Sequence, residues 1–349
     1  MARGLDLFCG CGGLSLGFKM AGFNIVAGFD YDEYCVATRS HNIGPTFRVD
    51  LRQAFGKELL EKAGIDGVDV IIGGPPCEGF SIANVKRKVG DPRNMLIFHF
   101  ARIVDELRPK FFVMENVVGL LSLGSGLYVR ELLKKFTASG YKVQYRILNA
   151  ADYGVPQFRR RVIFIGNCVG APITFPRETH SRNGYVTVLG ENLKPYVTVS
   201  GAISDLPDPT YDGKVFYDRE PKTEYQRLMR SPQGWTTGHI LTRHREDVVR
   251  RLKELKYGET LYPQFKHSWM RLDPNLPAPT VKENHNAPAV HPEQPRILTP
   301  RECARLQSFP DNFDFLAPKS IQLKLIGDAV PPLLAKAIAE EVKKRMAEV

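Results

Sequence analysis

The sequence predicts an α/β protein: a doubly wound, mostly parallel sheet with a smaller inserted domain. Three observations carry this. Short apolar runs alternate with amphipathic stretches from the start to about Gly166. The alternation then gives way to roughly 125 residues rich in proline, holding six of the eight histidines and both tryptophans, with few long periodic segments. Helical periodicity returns only near the end of the chain.

The runs GLDLF, NIVAGFD, VDVIIGG, KFFVMEN, VQYRILNA and RRVIFIG read as strands. Between them LSLGFKMAGF, YCVATRSHN, MLIFHFARIVDEL and YVRELLKKFTASG carry helical spacing. Strand and helix in alternation imply parallel pairing, because a crossover must return the chain to the same sheet edge. Helical spacing recurs in TPRECARLQSF and in VPPLLAKAIAEEVKKRM, where Val330, Leu333, Leu334, Ala337, Ile338 and Val342 share a face that should pack back on the sheet. The expected division is residues 1–167, an insert at 168–295, and a returning segment at 296–349.

With 43% apolar and 25% charged residues in 349, the composition is that of an ordinary soluble protein. No apolar run reaches the ~18 residues that span a bilayer, and the start MARGLDLF lacks the apolar stretch and cleavage site of a signal peptide. A cytoplasmic location and no membrane partner are therefore expected. The formal charge of +10 favours a polyanionic partner. Between Pro221 and Arg271 stand eleven Lys or Arg against five Asp or Glu, a net of +6 in one short stretch. The six cysteines are scattered, without the density of a disulfide framework or the spacing of a zinc knuckle, so reduced thiols and no metal are expected.

DLFCGCGGLSLGF runs from a strand into a helix through Gly10, Gly12 and Gly13, where bare backbone can approach a ligand beside a helix N-terminus. About 20 residues on, Asp30 follows the strand NIVAGF, at the place of an acid that binds ribose hydroxyls. Tight packing also demands glycine, and an acid there also serves as a helix cap. The dinucleotide pattern GxGxxG is not met, because Ser15 holds its last position. The spacing FxGxGG resembles instead the loop of S-adenosylmethionine-dependent methyltransferases.

GGPPCEGFS places Cys77 behind two prolines at a strand end. A thiol has a pKa near ~8.5, so a nucleophilic one needs free backbone N–H groups or a nearby cation, and a single cysteine is more often inert core. At the next strand end, FFVMENVVGL presents Glu115 and Asn116 on the same carboxyl edge, where ligands of open parallel sheets bind. In QFRRRVIFIG, Arg159 and Arg161 alternate onto one face. Singly, Glu115 reads as a capping acid and the arginines as a solvated basic run.

Together, DLFCGCGG, GGPPCEGFS, ENVVGL, QFRRRV, RILTPRECARLQSFP and GDAVPPLLAKAIA resemble the motifs of cytosine-C5 DNA methyltransferases, over residues 3–166 and 296–342. The resemblance implies an S-adenosylmethionine-dependent methyltransferase sheet with an inserted target recognition domain, acting on double-stranded DNA as a monomer. It implies that Cys77 adds to C6 of a flipped cytosine, Glu115 binds N3 and the exocyclic amine, Arg161 meets O2 and Arg159 supports that edge. To the cofactor it assigns Phe8, Gly10, Gly12, Gly13, Asp30, Tyr31, Asp50, Leu51, Pro75, Leu96, Asp328, Ala329 and Val330. The segment with Lys86, Arg87 and Lys88 matches a loop that closes over flipped-base DNA. Glu78 stands where many members have glutamine, and Asp328 where most have asparagine. A restriction-modification setting, with a separate cognate endonuclease, is expected. The alternatives are a tRNA-modifying relative, which the long insert argues against, and a catalytically inactive DNA-binding homologue, which retention of Cys77, Glu115 and Arg161 argues against.

Overall fold

The computed structural model describes residues 1–76, 95–186, 192–263, 269–282 and 288–349. The first part of the chain alternates as its periodicity requires. Strands β1 (Arg3–Leu7), β2 (Asn24–Asp30), β3 (Thr46–Arg48), β4 (Val70–Gly73), β5 (Phe111–Val117) and β6 (Lys142–Asn149) are interleaved with helices α1 (Gly13–Met20), α2 (Glu33–Asn42), α3 (Gly56–Ala63), α4 (Leu96–Leu107) and α5 (Leu127–Ala138). The two-residue β7 (Gln157–Phe158) and then β8 (Arg160–Asn167) follow. Among the described residues, seven strands form one sheet in the order β3-β2-β1-β4-β5-β8-β6. Strands β1 to β5 pair in parallel, and β8 is antiparallel to both β5 and β6. The order reverses between β1 and β4, and ligands bind outside the carboxyl ends of the strands at such a point. The short β3 and the helix α3 were not legible from the sequence.

The central strands are covered on both faces, which explains their unbroken apolar runs. Every residue of β4 is buried, as are the first six of β5. Phe112 stacks on Phe136 at 4.2 Å between ring centroids and meets Tyr141 edge-on at 5.4 Å. Each such ring removes a large apolar area from water and adds about 0.5–1.5 kcal/mol through pair geometry.

The chain divides into two compact units. Unit 1 comprises Met1–Asn149, Arg160–Arg177 and Leu334–Val349; unit 2 comprises Ala150–Arg159 and Glu178–Leu333. This division does not coincide with boundaries at 167/168 and 295/296. Within unit 1, the final helix α11 (Pro332–Met346) sends Lys343 Nζ to the Ala21 carbonyl at 2.9 Å, and Arg345 Nε to Thr174 Oγ1 at 2.7 Å.

Unit 2 is built from short elements. Its strands are β7, β9 (His180–Ser181), β10 (Tyr185–Val186), β11 (Asn192–Pro195), β12 (Val215–Phe216), β13 (Trp235–Thr236) and β14 (Ala278–Pro279). Its helices are α6 (Val199–Ile203), α7 (Glu224–Met229), α8 (Glu246–Glu254), α9 (Pro300–Leu306) and α10 (Lys319–Asp328). Few carbonyls can be satisfied by ladders here, so side chains supply donors. Arg301, buried to 1% exposure, donates to the carbonyls of Thr237 and Phe313, each at 2.8 Å. Arg305, at 0%, reaches Asp205 at 3.0 Å and Asp311 at 2.6 Å. Thr299 and Glu302 form a capping box at the start of α9, and Arg296 grips Glu302 at 2.7 and 2.8 Å. These contacts explain why residues 296–333 belong to unit 2 although the sequence suggests that they return with α11.

Candidate active site

The glycine loop begins where β1 ends. Phe8 and Gly10 both adopt φ 53° and Gly12, the N-cap of α1, φ 98°, so the chain turns sharply before the helix opens. Gly10 N–H donates to Asp30 Oδ2 at 2.8 Å, and Asp32 N–H to Asp30 Oδ1 at 3.0 Å. The loop and the acid twenty residues later thus meet, as their order along the chain suggests. Burial pushes the Asp30 carboxyl above its usual range, against these backbone hydrogen bonds. A Cβ placed on Gly10 would meet open space, so there is room at the loop.

The other residues that the sequence assigns to a cofactor in unit 1 follow the same sheet edge. The Tyr31 ring is exposed beneath the Arg48 guanidinium, 5.4 Å from its centroid. Asp50, beyond β3, is engaged by Arg52 Nε at 2.9 Å, and that hydrogen bond holds its carboxyl below the usual range. Leu51 is buried and its carbonyl accepts from Arg102 at 3.2 Å. Leu96 is half-buried at the start of α4.

At the next strand ends an acid and a cation come together. Glu115 on β5 pairs with Ile163 across β8, and Val117 pairs with Arg161, so Glu115 and Arg161 are diagonal neighbours on one face. Glu115 Oε1 lies 2.9 Å from Arg161 Nε, with side-chain exposures of only 10% and 13%. Breaking so buried a pair from one side would strand a charge, which fixes both orientations. Asn116 Nδ2 donates to the Pro75 carbonyl at 3.1 Å, pinning the chain that leaves β4. A Cβ on Gly74 would stand 3.3 Å from Glu115 Oε2, so glycine permits this close passage. Pro75 is buried, and Cys77 follows two residues later. Cys77, Glu78, Lys86, Arg87 and Lys88 lie outside the described residues.

Arg159, which the resemblance sets on the same base edge as Arg161, has backbone partners of its own. It sits in unit 2, just beyond β7, and is 1% exposed. Its Nη1 donates to the Val281 carbonyl at 3.0 Å and its Nη2 to the Gly327 carbonyl at 2.9 Å. These bonds make it a brace for the C-terminal end of α10, whose last carbonyls have no intrahelical donors. Gln307 serves the same end, donating to Ile326 O at 2.7 Å and Ala329 O at 3.0 Å. Within unit 2 the two side chains thereby hold the backbone around Asp328, which is exposed, and Ala329 and Val330, which are buried. Gln157 completes this frame by accepting from Val281 N–H at 2.8 Å and donating to Leu306 O at 3.1 Å.

Sequence reading also missed a buried trio in unit 1: Asp6, Ser15 and Arg39, all 0% exposed. Asp6 offered a signal as the one acid inside the apolar run GLDLF. Arg39 offered none.

The chain is similar to known proteins along nearly its whole length. The family model for C-5 cytosine-specific DNA methylase matches residues 2–344. The Type II methyltransferase M.DdeI of Desulfomicrobium norvegicum is 38% identical, over 97% of this chain and 88% of its own. The Type II methyltransferase M.XorII of Xanthomonas oryzae is 36% identical, over 98% and 85%. A solved E. coli structure, described as a putative DNA modification methyltransferase encoded within a prophage, superposes with a TM-score of 0.83 at 29% identity, covering 99% of this chain and 100% of that one. The S. pombe Dnmt2 methyltransferase, at 14% identity and a TM-score of 0.62 over 99% and 98% of the two chains, shares the fold. A match that runs from the first strand through the last helix, with relatives of this identity along nearly the whole length, means that the chain belongs to the C-5 cytosine-specific DNA methylase family.

Proposed function

We propose that this sequence-specific DNA (cytosine-5-)-methyltransferase takes its methyl group from S-adenosylmethionine and works through a covalent adduct of Cys77 with a flipped cytosine. The observation that carries the reading is the buried Glu115–Arg161 pair at 2.9 Å, beside the chain pinned by Asn116 and Pro75. A cytosine ring is electron-poor at C6 but too weak a nucleophile at C5. Thiolate addition at C6 makes C5 enamine-like. Glu115 holds the hydrogen bond at N3 and the exocyclic amine, stabilising charge pushed into the ring, and Arg161 serves O2. Once C5 has taken the methyl group, a base removes the C5 proton and the Cys77 sulfur leaves by elimination. The base must be out of the stack for this chemistry.

The open, glycine-lined loop with the Gly10–Asp30 contact fits a nucleoside-bearing donor. Gly10, Gly12, Gly13 and Asp30 would hold it, with Phe8, Tyr31, Asp50, Leu51, Pro75 and Leu96 along the same edge; for Asp328, Ala329 and Val330 the assignment rests on the family resemblance alone. When bound, it supplies an electrophilic methyl on a sulfonium. Arg159 acts as a positioning residue in this reading, since its terminal nitrogens serve backbone carbonyls. Residues 168–295 are proposed to read the DNA sequence, and a separate endonuclease to cleave the unmodified site. The curated relatives are named Type II methyltransferases, which does not favour a tRNA substrate. Among the described residues no helix is long and apolar enough to cross a membrane.

DNA carrying 5-fluorocytosine in the recognised site tests the mechanism, because fluorine blocks the final proton loss. A covalent complex should accumulate with the wild type and be absent with Cys77→Ala. An adduct that survives the substitution assigns the nucleophile elsewhere.

A further inference from the structure

Arg39 is a cation with no access to water. From α2 it sends Nε and Nη2 to Ser15 Oγ, at 3.1 and 3.0 Å, in the first turn of α1. Its Nη1 reaches the Pro45 carbonyl at 2.9 Å and Thr46 Oγ1 at 2.8 Å, at the start of β3. The plane of the guanidinium lies against Gly28 on β2 so closely that a Cβ there would fall 2.4 Å from Arg39 Cζ. A Cβ on Gly12 would in turn fall 3.0 Å from Arg39 Cγ. Ser15 Oγ passes a hydrogen bond on to Asp6 on β1.

One side chain therefore ties together the helix that opens the glycine loop, the strand that ends in Asp30 and the strand that leads to Asp50. Filling this volume does not call for a charge. Buried ionic groups can often be replaced by apolar side chains of similar size without loss of stability, so what the guanidinium contributes is the fixed fan of its donors.

We infer that Arg39 is a positioning residue for cofactor binding, holding the first turn of α1 against the β2–β3 edge so that the Gly10–Gly13 loop and Asp30 are arranged before the methyl donor arrives. The inference rests on reading that loop as the cofactor site. Preorganisation of this kind acts on affinity, because a loop ordered in advance does not lose its freedom on binding.

Calorimetric titration of S-adenosylmethionine into the whole chain, combined with steady-state kinetics, tests it. The wild type is measured first: no binding there would sink the cofactor reading of the loop itself, before any variant is made. Arg39→Met should raise Kd and the cofactor KM by about ten-fold, roughly 1.4 kcal/mol, while kcat and the KM for DNA stay within about two-fold. Arg39→Lys, which keeps the charge but not the fan of donors, should recover part of the affinity. Leu132→Ala removes a buried side chain on α5 that makes none of these bonds. It should lower the thermal midpoint yet leave Kd within about two-fold. The inference is overturned if folded Arg39→Met binds the cofactor as the wild type does, or if Leu132→Ala weakens binding as much. Should Arg39→Met not fold, Ser15→Ala decides alone: Kd should rise about three-fold, and a value equal to wild type overturns the inference.

Discussion

Asp6 in unit 1 and Asp311 in unit 2 are both buried to within 1% of full exclusion, and they are held in opposite ways. Among the described residues no guanidinium donates directly to Asp6. Its nearest donor is the Ser15 hydroxyl, behind which Arg39 stands. Burial pushes its carboxyl up to about 6, and the charge of Arg39 and the Ser15 bond offset this only in part. At Asp311, Arg305 Nε and Nη2 donate directly at 2.7 and 2.6 Å. Burial pushes this carboxyl up as well, yet the hydrogen bonds and charge of Arg305 prevail and hold it below the usual range. Glu302, gripped by Arg296, follows Asp311. One interposed hydroxyl is enough to reverse the outcome, because a charge-assisted contact is far stronger than the same charge one shell away.

The largest expected effect comes from removing the cation in unit 2. Arg305→Met leaves Asp311 buried without its guanidinium and Asp205 with Arg230 alone, and should cost about 3–5 kcal/mol at neutral pH. Part of that loss should return on acidification, as the stranded Asp311 takes up a proton. Phe112→Ala in unit 1 should cost a similar amount, about 3–5 kcal/mol, with no such recovery. Denaturant unfolding at two pH values separates them, and identical pH behaviour would break the comparison. The wild type offers a second view, since Trp235 and Trp269 both lie in unit 2 and their emission reports on it. The folded values of Asp311 and Glu302 are depressed. Their contribution to stability is complete above the unfolded values, 3.8 and 4.5, and disappears as pH falls through the folded ones.

Asp6 should show the reverse slope on a smaller scale. Its folded value is raised, so the folded state binds the proton more tightly, and stability falls as pH rises from 3.8 to about 6. The groups that face it are Arg39, Ser15, Asp30 and Cys9. Asp6→Asn should remove a decline of up to about 3 kcal/mol across that range, read as urea unfolding followed by circular dichroism. An unaltered slope would assign it to other groups. The smallest effect concerns Glu78 and Asp328, acids that stand where many related proteins carry amides. Glu78→Gln combined with Asp328→Asn should narrow the preference for S-adenosylmethionine over S-adenosylhomocysteine by about 1 kcal/mol, the scale of a partly screened charge pair. An unchanged ratio of calorimetric affinities would show that neither carboxylate acts on the sulfonium.

The same contrast explains what the sequence disclosed. In unit 1 the side chains follow the periods of strand and helix, so VDVIIGG and KFFVMEN mark β4 and β5, and Glu115 falls at a strand end where chemistry is expected. In unit 2 the shape is held by single long-range bonds, such as Arg301 to Phe313 O and Gln157 to Leu306 O, which leave no period. Helix α10 escaped notice because its apolar residues form no simple stripe, being buried at Leu323, Leu325 and Ile326 in near succession. Two arginines two apart look equivalent in a strand, whereas the break between β7 and β8 gives Arg159 and Arg161 different neighbours that spacing does not announce.

The inverted strand β8 has a consequence for insertion and deletion. From Val162 to Asn167 it is buried on both faces, so greasiness alone would accept a pairing shifted by one position. Such a shift turns each side chain to the opposite face of the sheet. A protein with one residue deleted among 158–160 could keep its sheet and its buried strand, and still present Arg161 away from Glu115. Tolerance to length changes should therefore fall to zero at this short stretch even though no reacting atom need lie there. What guards the chemistry at that point is counting, and a scan of single-residue deletions would find it as a silent lesion: folded, soluble and inert.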